Sequence, residues 1–155
     1  MLAKTLLAAT ASMLLVGPPR IAVQTTGLTG DAIAMVDVHF HTDEDEARIY
    51  GTAYTLVSGR RVDRTIPLDR IDASHYRVRR TWTSTDPMVL VLGVEQGVGG
   101  KHGAAEALVR LARGGRVVGV DIAMTRPIVG NAQPRRVNDR EIEGALEQLG
   151  ARSAD

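Results

Sequence analysis

Residues 80–96, RTWTSTDPMVLVLGVEQ, decide the fold predicted for this chain. They contain the only tryptophan, Trp82, a turn signal at Asp86 and Pro87, and, over residues 88–96, the most apolar run outside the N-terminal region. A run that is apolar on both faces is typical of a central β-strand, because a strand with one exposed face alternates polar and apolar residues. We therefore expect residues 88–96 to be the strand on which the other strands assemble.

Segments with alternating apolar residues flank this run on both sides. In residues 33–41, Val36, Val38 and Phe40 fall on one side of an extended chain. This two-residue period with β-branched side chains is typical of a strand with one buried face. The same reasoning predicts strands at residues 33–41, 48–57, 61–68, 76–83, 88–96, 104–113 and 116–124. Their spacing predicts an all-β fold, an immunoglobulin-like antiparallel β-sandwich of about seven strands with a C-terminal helix.

The last third of the chain contains one ambiguous segment and one helix. Residues 104–113 fit a strand as well as a helical stripe. Gly114 and Gly115 favour the strand because two glycines suit a hairpin turn, but glycine also ends helices, so both structures stay open. Asn138 and Glu141 have the spacing of a capping box. An apolar stripe follows at Ile142, Ala145, Leu146 and Leu149. We expect this helix to dock on the sandwich, with a groove on a partner protein as the alternative.

The N-terminal segment has the layout of a secretory signal peptide. Lys4 precedes an apolar run over residues 5–17, and two prolines end that run. The run is too short to span a bilayer. We place the signal peptide at residues 1–22, with cleavage after Ala22; a buried N-terminal helix is the alternative. The units that follow are a linker at residues 23–32, the β-sandwich at residues 33–124, and a connection with the amphipathic helix at residues 125–155.

Composition narrows the compartment and the class of partner. Without Lys4 and Arg20, the 19 basic residues become 17 against 18 acidic ones. A mature domain this close to neutral gives no basis for binding nucleic acid or a membrane surface. The chain has no cysteine, which excludes disulfides and thiol catalysis. We therefore expect a periplasmic or secreted domain without a membrane span in its mature form, and its aromatic content of 3% implies an aliphatic core.

Asp37, His39 and His41 are the candidate metal ligands. They lie two residues apart on a predicted strand, so their side chains project from the same face. Two imidazoles and a carboxylate are donors that zinc and copper(II) accept. His75 or His102 would complete the site if the fold brought either one close. The alternative is a solvated strand face before an acidic turn.

Arg77 and Arg79 are the candidate partner-binding residues. Both lie on the outward face of one predicted strand, and guanidinium groups recognise carboxylates and phosphates through paired hydrogen bonds. The alternative is a charged face that is only solvated.

No catalytic set emerges from the sequence. No serine lies in a Gly-x-Ser-x-Gly setting, no cysteine is present, and the glycine-rich residues 97–103 fail the pattern of a phosphate-binding loop. We therefore predict a non-catalytic protein without a nucleotide cofactor; the alternative is a hydrolase whose catalytic residues come together from distant segments.

The chain resembles small periplasmic immunoglobulin-like domains, such as the YtkA-like and CopC-like groups, which have a tryptophan followed by a strand of alternating valines. The resemblance rests on Trp82, on the connection at residues 83–87 and on the MVLVLGV that follows. The resemblance covers residues 33–124 and implies a β-sandwich. Domains of these groups often accompany metal handling or envelope assembly. We expect an exported, non-catalytic module that binds a protein partner in the cell envelope. The alternative is a periplasmic copper- or zinc-binding module that uses the Asp-x-His-x-His strand.

Overall fold

The computed structural model describes residues 17–28, 30–127 and 130–151. Within these residues it contains nine strands and one α-helix. The strands are β1 (Arg20–Gln24), β2 (Ala32–His39), β3 (Ala47–Val57), β4 (Arg60–Thr65), β5 (Leu68–Arg70), β6 (His75–Arg79), β7 (Met88–Gln96), β8 (Ala104–Leu111) and β9 (Val117–Ile122), and the helix is α1 (Asp139–Ala151). None of the described helices is long and apolar enough to cross a membrane.

The strands form two antiparallel sheets that pack face to face. One sheet has the order β1-β2-β6-β5 and the other the order β4-β3-β7-β8-β9. Up to β8, this order matches the ABED and C′CFG sheets of immunoglobulin sandwiches, and β9 adds a strand beside the last of them. The all-β sandwich with a C-terminal helix, predicted from the sequence, is confirmed.

β7 lies at the centre of the fold, as the sequence predicted. All nine of its residues are buried. Its inner side faces the other sheet through Met88, Leu90, Leu92 and Val94. On its outer side, Val89 and Val91 pack with Leu108 of β8 against α1. The helix contacts this surface through its apolar stripe of Ile142, Ala145, Leu146 and Leu149. Full burial of an aliphatic side chain stabilises a fold by about 1.5–3 kcal/mol, so the stripe explains why the helix docks on its own sheet.

β8 resolves the ambiguity at residues 104–113 in favour of the strand. Ala105, Ala107, Val109 and Leu111 have no exposed surface and share the face towards the core. A helix would have spread these alternate residues around its circumference. The capping box is confirmed, since the Asn138 side chain accepts a hydrogen bond from Glu141 N at 3.0 Å and the Glu141 carboxylate accepts one from Asn138 N at 2.9 Å.

The predicted strand at residues 61–68 is instead two strands in different sheets. β4 pairs with β3, while β5 pairs with β6 across the sandwich. Ile66 makes the transition: its side chain is buried and its N–H donates to Gly51 O at 3.0 Å. Pro67 cannot donate a ladder hydrogen bond, so the chain leaves the five-stranded sheet at that residue.

β1 corrects two predicted boundaries. It begins at Arg20, and Ile21 pairs with Val38 of β2. The linker predicted at residues 23–32 is therefore wrong at Val23 and Gln24, which belong to β1, and at Ala32, which begins β2. A cleavage after Ala22 would cut through a paired strand. The first sixteen residues of the predicted signal peptide lie outside the described residues.

Trp82 lies in the connection between β6 and β7 and is 6% exposed, so it belongs to the core as expected. The cation over its ring is Arg64 of β4, at 5.1 Å from the ring centre. An Arg80–Trp82 pair would also suit the sequence, but Arg80 instead donates to Gly114 O at 3.0 Å and to Ser84 O at 3.3 Å. Arg80 thus ties the connection before β7 to the turn after β8.

Candidate functional site

The predicted metal ligands do not assemble. His39 and His41 are exposed, with ring centres 4.6 Å apart and an edge-to-face orientation. Asp37 is paired in register with His75 of β6, but the His75 ring bonds to Asp72 at 2.9 Å. That carboxylate, through its hydrogen bond and then its charge, raises the pKa of His75.

A third ligand for the two histidines is missing. The described residues form no group of three histidine, cysteine, aspartate or glutamate side chains that could hold a metal ion. The rest of the sequence contributes only one such residue, Asp155. The fourth histidine, His102, uses its carbonyl oxygen to accept a hydrogen bond from Gln96 at 2.8 Å. A stable zinc site takes at least three protein ligands, so the histidine pair falls short of one.

Arg77 and Arg79 are engaged inside their own sheet. The Arg79 Nε lies 2.5 Å from an Asp69 carboxylate oxygen, and an Arg77 amino group lies 3.6 Å from the same oxygen. Asp31 lies 3.7 Å from Arg79 on its other side. The charge that was predicted to meet a partner is therefore largely balanced by two aspartates of this chain.

A buried polar row crosses the outer face of the larger sheet. Tyr50, Gly93 and Glu106 are register neighbours on β3, β7 and β8. The Tyr50 ring lies across Gly93 and its hydroxyl donates to the Glu106 carboxylate. A Cβ at Gly93 would overlap that ring, so only glycine allows the contact. Burial, and then the bond to Glu106, raise the pKa of Tyr50 well above its ordinary range.

Glu106 fixes the segment that leads into α1. Its other carboxylate oxygen accepts a hydrogen bond from Val137 N at 2.6 Å, and its own N–H donates to Arg135 O at 3.1 Å. One residue further, Arg136 pairs with the buried Glu95 at 2.8 Å. A buried carboxylate is tolerated only with such partners. The pairs therefore explain how two carboxylates lie under this segment and hold it on the sheet.

The segment and helix fixed in this way leave a cleft beside β9. It has a volume of about 510 Å³. Its lining comes from β8, from β9 and the residues that follow it, from the segment before α1, and from one side of α1. The residues are Leu108, Arg110, Asp121, Ile122, Ala123, Met124, Arg135, Val137, Arg140, Glu141, Gly144, Ala145 and Gln148. We call this space the β9–α1 cleft.

Two ion pairs stiffen the walls of the β9–α1 cleft. Arg110 lies 2.8 Å from Asp121 on the neighbouring strand. Arg135 and Glu141 form a two-point contact, at 2.6 and 2.8 Å. This contact lowers the pKa of Glu141 to about 2, because the guanidinium hydrogen bonds favour the carboxylate. Both carboxylates of the cleft are thus already neutralised.

Arg140 is the exception among the charged residues of the cleft. It has no hydrogen-bond, ion-pair or ring partner among the residues that the structure describes. With the two pairs balanced, its guanidinium gives the cleft one excess positive charge. Ile122 and Met124, 36% and 38% exposed, add apolar surface beside it.

Most charged groups in the lining of the β9–α1 cleft are already held in ion pairs. Among the described residues, no serine, threonine, histidine, lysine or tyrosine lines the β9–α1 cleft. Each of its two carboxylates lies within ion-pair distance of an arginine. Within the described part of the chain, what remains is apolar surface and one arginine, Arg140, without a partner.

Sequence reasoning missed this site. Glu106 was open to detection as a lone carboxylate among the apolar residues of β8. The cleft itself was not, because its walls come from four segments that meet only after the helix has docked. No protein-family model, curated protein or solved structure matches the chain.

Proposed function

We propose that this chain is an exported, non-catalytic accessory module that binds a protein partner in the cell envelope through the β9–α1 cleft. One observation carries the proposal: the lining of the cleft includes Ile122, Met124 and Arg140, and Arg140 has no partner among the described residues while the other two arginines of the lining are ion-paired. Protein interfaces concentrate their binding energy in such apolar anchors and arginines. Among the described residues the lining holds no serine, threonine or histidine, and both of its carboxylates are ion-paired, which supports a binding role.

Export is proposed from the sequence of the first seventeen residues. The start of β1 at Arg20 favours cleavage before that residue, since Arg20, Ile21 and Ala22 all pair with β2. A fusion of residues 1–19 to a phosphatase that folds only outside the cytoplasm tests this. We expect phosphatase activity, and we expect its loss when charged residues interrupt the apolar run. An inactive fusion would overturn the export proposal and leave the cleft unaffected.

Site-specific photocrosslinking tests the binding proposal. A photoreactive residue at Met124, in the β9–α1 cleft, is compared with one at Val62 of β4, which is 48% exposed and lies outside the lining. We expect a defined adduct from position 124 and none from position 62. The partner identified from the adduct is then purified and titrated against the chain.

Two variants decide whether the cleft is responsible. Gly144 lines the cleft, and a Cβ there would meet nothing within 4 Å, so a side chain can leave the helix at this position and Gly144→Phe is designed to fill the space. Arg140→Glu reverses the free charge. We expect each to weaken binding of the purified partner by about tenfold. Equal adducts at both positions, or undiminished affinity in both variants, would refute the proposal.

A further inference from the structure

The edge of β9 offers unpaired backbone groups at the mouth of the β9–α1 cleft. β9 is the last strand of its sheet and pairs only with β8 among the described strands. Ala123 N donates to Glu106 O at 2.9 Å, which shows that Ala123 faces β8. Because the N–H and C=O groups of an antiparallel strand alternate in direction, those of Val120 and Ile122 point away from β8. They are free to pair with another strand.

Little in the sequence of β9 discourages such pairing. Its six residues, VVGVDI, carry one charge, Asp121, and that charge is paired with Arg110. Proteins usually protect an exposed edge with lysine, proline or inward-pointing charge. A register shift opposite Arg110 and Leu111 distorts the start of β9, so the regular edge runs from Gly119 to Ile122.

A strand added to this edge would lie beside the β9–α1 cleft. Ile122, whose backbone faces outward, belongs to the lining together with Met124. Side chains of an added strand alternate between its two faces. Every second side chain would therefore project towards the cleft and its apolar surface, while the backbone pairs with β9.

The excess positive charge of the cleft determines which net charge the added strand should carry. Arg110 and Arg135 are already paired with carboxylates, whereas Arg140 has no partner among the described residues. An arginine pairs well with a carboxylate, and a lysine brought to the same place would be repelled. Charge complementarity therefore favours an acidic segment.

We propose that the partner contributes an extended, acidic segment, which pairs with β9 as an additional strand and places a carboxylate on Arg140. This rests on the proposed function, because it names the chemistry of the partner at the same cleft. Recognition of this kind takes affinity from main-chain hydrogen bonds and specificity from alternate side chains. It predicts a dependence on backbone N–H groups that a purely side-chain interface would not have.

A set of three synthetic probes tests the proposal. The first is a blocked, fluorescent peptide of alternating valine and aspartate, roughly seven residues long, as a strand usually is. The second carries lysine in place of aspartate. The third keeps the acidic sequence but is N-methylated through its centre, so that it cannot donate to a sheet. We expect the first probe to bind with a dissociation constant below about 1 mM, and the other two to bind at least about tenfold more weakly.

Arg140→Glu provides the matched protein variant. Arg140 is exposed and has no partner in the part of the chain that the structure describes, and glutamate is favourable in the first turn of a helix, so the fold should tolerate the change. We expect this variant to reverse the preference and bind the lysine probe more tightly than the aspartate probe. Such a reversal needs direct contact with the charge and would not follow from general destabilisation.

The possible outcomes separate this inference from the proposed function. Binding that Gly144→Phe abolishes but N-methylation leaves unchanged would overturn strand pairing while the cleft remains the binding site. No binding of any probe at about 1 mM would overturn the acidic-strand inference, while the photocrosslinking comparison decides the proposed function independently. Sedimentation could also show that the chain forms a dimer and that the Ile122→Lys variant is monomeric. That result would place a second copy of this chain on β9 and would overturn the acidic-strand inference.

Discussion

The two edges of the larger sheet, β4 and β9, differ in what they present to solvent. β4 reads RRVDRT, all six of its residues are exposed, and Pro67 follows it. β9 reads VVGVDI and is mostly half-buried. Charge and proline keep edges from pairing with other chains. The β4 edge is therefore protected from pairing with other chains, whereas the β9 edge, next to the β9–α1 cleft, lacks this protection.

The two edges also hold α1 in different ways. On the β4 side, Arg61 reaches Asp139 at 2.9 Å and Glu143 at 3.4 Å, and both acidic side chains are well exposed. On the β9 side, the buried Glu106 carboxylate binds Val137 N. Solvent screens the first contact and not the second. The side that carries the cleft is therefore the more firmly fixed.

The largest effect should come from Gly93→Ala. The new Cβ would overlap the Tyr50 ring and push its hydroxyl from Glu106. Overpacking and a broken hydrogen bond to a buried charge together cost about 3 kcal/mol of unfolding free energy. Urea denaturation measures the change. Gly144→Ala is the matched control: its Cβ meets nothing within 4 Å, so we expect a gain of about 0.5–1 kcal/mol. Equal effects of the two substitutions would contradict the account.

Glu106→Gln should follow with a loss of about 2 kcal/mol, because the amide cannot accept from both Tyr50 and Val137 N and leaves one buried donor without a partner. Chemical denaturation again gives the value. The control is Glu147→Gln, an exposed position on α1, where we expect a change within about 0.5 kcal/mol. A Glu106→Gln variant with an unchanged free energy of unfolding would show that the polar row does not anchor the segment before α1.

A third, smaller effect should appear at low pH. Arg135 lowers the pKa of Glu141 to about 2, from an ordinary value near 4.3. A depressed carboxyl pKa stabilises the fold at all pH values above the unfolded value, and that contribution is lost as the pH falls towards the folded one. We expect wild type to exceed Glu141→Gln by about 1 kcal/mol at pH 6, allowing for solvent screening. The difference should vanish by pH 2; a constant difference would contradict the pairing.

The smallest loss of stability should come from a substitution at the β4 edge. Arg61→Ala removes the exposed contacts to Asp139 and Glu143, and exposed ion pairs contribute about 0.2–1 kcal/mol. We expect a loss near the lower end, which 0.5 M salt reduces further. A loss as large as that of Glu106→Gln would mean that the two sides of α1 are held equally well.

Much of the fold was readable from the sequence because its periods are strong. The apolar residues 88–96 gave the bounds of β7, and the stripe from Ile142 to Leu149 gave the face of α1 that packs on it. β1 was hidden because its first residues continue from an apolar leader-like run. Pro67 marked the end of β4, but the crossing of the next strand to the other sheet depends on long-range pairing that no local pattern records.

The functional residues were harder to predict for a related reason. Asp37, His39 and His41 were chosen by sequence spacing, and spacing cannot supply the third ligand that another segment would have to bring. In the sequence Arg140 looks like any surface charge; the structure shows that the other two arginines of the cleft are paired, whereas Arg140 has no partner within residues 17–28, 30–127 and 130–151. What defines the β9–α1 cleft is a balance of contacts among distant segments.

Amide hydrogen exchange tests the contrast between the two edges most directly. Ile66 N donates to Gly51 O, so by alternation the amides of Arg61 and Asp63 on β4 point outward, as do those of Val120 and Ile122 on β9. In the presence of a saturating valine–aspartate probe, we expect exchange at Val120 and Ile122 to slow by at least about tenfold and exchange at Arg61 and Asp63 to stay unchanged. Protection at β4 as well, or at neither edge while the probe is bound, would contradict the account.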